Sequence, residues 1–162
     1  MTDKGLRNRQ NILEISCDEY FLSVEELLRE ERTVTIPARG KSMLPFIQDG
    51  DRVELAETVA GKLKRGDIVL ARTTKGIIMH RIIKAERDGR FILMGDGNLY
   101  STEYCEAEDI AGTVMRVCRG GKWTDCRSRS ARMKAGLWML LRPVRRPLLL
   151  IWKKSGQSQS SH

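Results

Sequence analysis

Hydrophobic positions along the chain follow two periods in turn. Between Phe21 and Glu31 the apolar residues Val24, Leu27 and Leu28 recur at helical spacing, and Ser23-Val24-Glu25-Glu26 reads as a capping box, so a short acidic helix is expected there. From Thr33 onward the period drops to two: Val34 and Ile36 alternate with polar neighbours, and Val53 and Leu55 repeat the pattern. The β-rich runs Asp67 to Arg72 and Ile77 to Lys84 are joined through Thr74-Lys75-Gly76, a hairpin signal. Arg90 to Met94 follows the turn Asp88-Gly89, and Ile110 to Arg119 precedes Gly120-Gly121. Short strands with turns this regular predict a mainly β fold, an antiparallel and partly closed sheet or barrel.

After Ser128 the helical period returns in a basic setting. Leu137, Leu140, Leu141, Val144, Leu148 and Ile151 fall on one side, and Arg142, Arg145, Arg146 and Lys153 on another. Pro143 and Pro147 cannot donate backbone hydrogen bonds, so two short amphipathic helices with a bend are expected. The organisation that follows is an N-terminal arm and short helix over 1–32, a β-rich domain over 33–127, a basic helical tail over 128–154 and a disordered end over 155–162.

Charge sharpens the picture of the tail. The 162 residues carry a net charge of +8, but residues 116 to 162 hold twelve basic side chains and one acidic one. Attraction to phosphate is thereby localised to the C-terminal segment. One reading is a helix on an anionic membrane surface, with Trp138 and Trp152 at headgroup level and Arg142, Arg145 and Arg146 on acidic lipid. The other is a helix packing its apolar side on the β domain with a solvated basic face. Arginines interrupt the segment too often for a span, which needs about 20 apolar residues. Nucleic acid is the least favoured partner, because the arginines alternate with leucine and tryptophan.

The four cysteines show no Cys-x-x-Cys spacing and the histidines are His80 and His162, so no metal site or cofactor is expected. The polar start Met1-Thr2-Asp3-Lys4 lacks a signal-peptide pattern, which predicts a cytoplasmic protein with reduced thiols, held if at all to the inner face of the membrane. Some forty residues with one convincing helix before the β region are too few for a helix-turn-helix DNA-binding domain.

Candidate chemistry centres on the loop from Arg39 to Asp51. Gly40 and Pro45 shape a stiff turn that holds up one hydroxyl, that of Ser42. Alone, a Gly-x-Ser followed by proline describes an ordinary turn. Three further blocks follow in order: Gly66-Asp67-Ile68-Val69, then His80-Arg81 within a strand, then Gly95-Asp96-Gly97-Asn98. Together the blocks, over about residues 33 to 118, resemble the LexA/signal-peptidase superfamily of serine peptidases. In that superfamily a Gly-x-Ser-Met-x-Pro block carries the nucleophile and the general base lies on a later strand. The base is a lysine in LexA-type and bacterial signal peptidases, and a histidine in a His-Arg pair in the endoplasmic-reticulum and archaeal types.

The resemblance implies a coiled β fold, a peptide or protein substrate, Ser42 as nucleophile and His80 as base. Strand alternation puts His80 on the face of Ile78 and Ile82, an apolar setting that suits a core histidine and also keeps an imidazole neutral. Lys41 and Lys84 are the other candidates for the base. Asp96, fixed in its Gly-Asp-Gly turn, is slightly preferred over Glu103 as the carboxylate that orients the ring; the histidine-type relatives carry an aspartate shortly after this block, where this chain has none. The Ser42 N–H and the Gly40 region are the expected oxyanion donors, with Met43 and Phe46 in the substrate pocket. Bacterial signal peptidases place a hydroxyl where this chain has Gly40. The one alanine upstream of Ser42 is Ala38, followed by Arg39, so cleavage of another chain is expected rather than of its own. The rival reading is a catalytically inactive peptide- or membrane-binding module on the same fold.

Overall fold

The computed structural model describes residues 16–141. Residues 142–154 of the expected 128–154 tail and the expected end 155–162, with Arg142, Arg145, Arg146 and Trp152, lie outside the described residues. Helix α1 spans Cys17–Glu31. It starts earlier than expected because the capping box is Ser16 with Glu19: the Ser16 hydroxyl accepts from Glu19 N–H and the Glu19 carboxylate accepts from Ser16 N–H. Ser23 stands inside the helix instead, its hydroxyl donating to the Glu19 carbonyl. The helix buries Phe21, Val24 and Leu28, while Leu27 is exposed.

Among the described residues eight antiparallel strands follow: β1 Thr33–Pro37, β2 Arg52–Glu57, β3 Ile68–Thr73, β4 Gly76–Ala85, β5 Phe91–Met94, β6 Glu103–Cys105, β7 Ile110–Arg119 and β8 Lys122–Asp125. They form one sheet in the order β1-β2-β7-β3-β4-β5-β6, with β8 paired to β7. The short strands β6 and β8 carry no apolar alternation of their own and are formed by pairing with β5 and β7.

Strand β3 explains the layering. Ile68 and Leu70 point to one face, among Phe21, Leu28, Val53 and Leu55. Val69 and Ala71 point to the other, among Ile82, Phe91, Leu93 and Ile110. Both faces are dry, so β3 reads as a continuous apolar run. Full burial of each large side chain contributes roughly 1.5–3 kcal/mol. Helix α1 seals the first face, and helix α2, Arg129–Leu140, is capped by Ser128.

The loop between β1 and β2 is closed at its base. Ala38 N–H donates to the Asp51 carbonyl over 2.7 Å and Gly50 N–H to the Ala38 carbonyl over 2.9 Å. The buried Asp51 carboxylate accepts from the Gln48 N–H and from the guanidinium of Arg119, which also reaches the Phe46 carbonyl. Gly40, at φ +86°, turns the chain where a side chain would be strained. Both ends of the serine loop are thereby pinned to the sheet.

Candidate active site

Three segments converge at Gly95: the serine loop, strand β4 and the β5–β6 connection. A β-carbon on Gly95 would stand 2.4 Å from the Ser42 carbonyl oxygen and 3.0 Å from His80 Nε2, so only glycine permits this approach. Gly97 is as confined, and its N–H donates to the Ser42 carbonyl over 2.7 Å. Ser42 is half-buried, and its N–H donates to no protein acceptor among the described residues.

His80 is 4% exposed. Its Nδ1 lies 2.9 Å from Glu103 Oε2, which leaves Nε2 turned toward Gly95 and the serine loop. The other Glu103 oxygen accepts from Lys75 Nζ over 3.2 Å and from Ser101 over 3.0 Å. Burial lowers the His80 pKa from its ordinary value, against the opposing pull of Glu103 and of Asp96. Burial alone would raise the Glu103 pKa, but the hydrogen bonds from Lys75, Ser101 and His80, with the charge His80 carries when protonated, bring it below the usual carboxylate value. The pair is therefore a neutral imidazole backed by an ionised carboxylate.

The preference for Asp96 as the orienting carboxylate does not match the geometry. Both Asp96 oxygens are taken by Arg81, with Nε at 2.8 Å and Nη2 at 2.6 Å, in a buried bidentate pair. Arg81 Nη1 reaches the Gly66 carbonyl, tying three of the sequence blocks together. Glu103 takes that place beside His80, and nothing in the spacing of Lys75 or Ser101 along the chain shows that they meet its carboxylate. Lys84 is bound to Glu86 and Lys41 is exposed, so neither lysine lies against the serine as a base would.

Around this centre other expected residues are redistributed. The Gly40 N–H donates to Asp49 Oδ1 over 2.7 Å, so it is not available as an oxyanion donor. Met43 is buried in the core beneath the loop and lines the groove beside Ser42. Phe46 turns away from that groove and packs against the Arg81 guanidinium and the Trp138 ring. Trp138 faces the protein rather than a lipid surface, because its N–H donates to the Asp96 carbonyl over 2.8 Å.

The groove holding Ser42 encloses about 400 Å³. Its walls are mostly apolar, from Ile36, Leu70, Ile77 and Met79, and Tyr20 of α1, Arg39 and Gln48 also line it. Among the described residues no strand pairs with the outer edge of β1, and Ile36 and Pro37 of that strand line the groove. Among the described residues, no group of three His, Cys, Asp or Glu side chains could hold a metal ion, and no helix is long and apolar enough to cross a membrane.

No curated protein matches the chain. A family model described as Peptidase S24-like matches residues 7–115, which takes in Ser42, His80 and Glu103 and ends before α2.

Proposed function

Because the chain belongs to the Peptidase S24-like family, we propose that it is a serine endopeptidase that cuts an extended, apolar segment of another protein. The observation that carries this reading is the Glu103–His80 pair with Nε2 turned toward the serine loop. Ser42 Oγ attacks the peptide carbonyl carbon while His80 Nε2 takes the hydroxyl proton. Glu103 holds the Nδ1 proton and supports the imidazolium that forms. The Ser42 N–H donates to the oxyanion. His80 then returns the proton to the leaving amine, the peptide C–N bond breaks, and water attacks the acyl ester through the same base. An extended substrate pairs with the outer edge of β1 and lays alternate side chains into the groove.

The proposal includes peripheral attachment. Met133, Leu137 and Leu140 are exposed on α2, just before the basic run that begins at Arg142, and suit an anionic lipid surface. All four cysteines are free, which suits a cytoplasmic protein on the inner face.

The test is a mass-spectrometric digest of a diverse peptide library with wild type, Ser42→Ala and His80→Ala. Cuts made by wild type alone support the peptidase. One feature favours an inactive peptide-binding module: Gly40 N–H is committed to Asp49, leaving a single oxyanion donor among those expected. Peptides retained on the protein but cut by none of the three forms would establish that second reading.

A further inference from the structure

The helix beyond the family-matched residues reaches into the catalytic centre at one side chain. Trp138 donates its indole N–H to the carbonyl of Asp96, in the middle of the Gly95-Asp96-Gly97 turn. Its ring meets Phe46 of the serine loop edge-on, with centroids 6.2 Å apart and planes at 82°. The guanidinium of Arg81 lies 5.3 Å from the Phe46 ring centre, and Arg81 follows His80 directly in β4. One indole therefore touches the turn that closes on His80 Nε2 and the loop that carries Ser42.

That turn is held to β4 by the Arg81–Asp96 pair and to the serine loop by the Gly97 N–H, and the indole is the tie that joins it to α2. The chain between β5 and β6 makes no strand pairing from Gly95 to Thr102, and Asp96 is 2% exposed, so its carbonyl needs a donor. Helix α2 itself buries only Ala135 completely, and Arg132 anchors it to Asp67 over 2.8 Å. A helix attached by a few side chains can shift without the sheet unfolding.

We propose that Trp138 is a positioning residue that sets the alignment of Ser42 and His80, so that α2 is part of the catalytic apparatus although it lies outside the peptidase core. This rests on the Ser42–His80 reading above. Loss of the indole leaves the Gly95–Gly97 turn held by Arg81 and by the Gly97 N–H, strips the packing from Phe46, and lets turn and serine loop shift against His80 Nε2. The charged groups facing His80 are Glu103 and Lys75 at its Nδ1 end and Asp96 beyond, and all three remain when Trp138 is replaced.

The experiment uses full-length wild type, Trp138→Phe and Trp138→Leu, with two readouts. The first is proton NMR titration of the ring; the chain has two histidines, so His80 is identified by its absence from His80→Ala. The second is the rate at which a fluorophosphonate probe phosphonylates Ser42, the serine oxygen bonding to phosphorus as fluoride leaves. In Trp138→Leu the His80 pKa is expected to rise toward that of free imidazole, and labelling to slow by about ten- to a hundredfold with the melting temperature changed by only a few degrees. Trp138→Phe keeps the ring contact and loses the N–H, so it falls between. Wild-type titration and wild-type labelling in Trp138→Leu would overturn the proposal, as would a loss of labelling that only tracks the folded fraction. Should Ser42→Ala react with the probe as fast as wild type, the nucleophile assignment fails, while the His80 titration still decides the role of Trp138.

Discussion

Glu103 Oε2 sits 2.9 Å from His80 Nδ1, two strands away across β5, and this one contact assigns the two ring nitrogens their tasks. With Nδ1 held on a carboxylate, the Nε2 lone pair is free for a proton from the serine side. Glu103→Gln should leave the fold intact and lower kcat/KM on cleaved peptides by on the order of 10²–10⁴. Because Glu103 raises the His80 pKa against the effect of burial, the same variant should move the His80 titration further down. An unchanged rate would remove Glu103 from the site.

The pH dependence follows from the lowered His80 pKa. The folded protein binds this proton less readily than the unfolded chain, so the stability carried by neutral His80 is full above about 6.5 and is lost as pH falls below that value. The acid limb of kcat/KM should therefore have its midpoint below about 6.5. A midpoint above free imidazole, measured with a cleaved peptide over roughly pH 4.5 to 8, would rule out a buried neutral histidine as the base.

Gly95→Ala would set a methyl 2.4 Å from the Ser42 carbonyl and 3.0 Å from His80 Nε2. Backbone on one side and a buried ring on the other give little room, so a loss of about 1–3 kcal/mol is expected. The larger effect should fall on kcat, because the segments forced apart are those that carry nucleophile and base. Chemical denaturation alongside kinetics separates the two effects.

Asp96→Ala leaves Arg81 charged and buried with no carboxylate. A cost of about 3–5 kcal/mol is expected, read as a fall in denaturation midpoint. Replacing both residues, Arg81→Met with Asp96→Ala, should be less damaging than the single change, since no stranded charge remains. A double variant weaker than Asp96→Ala would argue that the pair stabilises beyond mutual neutralisation.

How far the sequence leads is clear from particular residues. Alternation identifies β1 and β2, and apolar β-rich runs bounded by turn residues identify β3, β4 and β7 to within a residue at each end, because both signals are local. Glycines at 40, 95 and 97 and the Ser42 and His80 blocks are visible because their chemistry is local: a turn needs its glycine wherever the rest of the chain lies. Which carboxylate meets the histidine is not local. The pairing of Ile82 with Leu93 and of Leu93 with Glu103 brings Glu103 beside His80, while Arg81 paired with Met94 draws in Asp96 just beyond. Cross-strand register, shifted by the bulge between Ile82 and Lys84, decides this, and no spacing along the chain encodes it. The same holds for Trp138: a helix with leucines on several sides does not say which way its tryptophan turns, and the free carbonyl of Asp96 settles the matter only once the chain has folded.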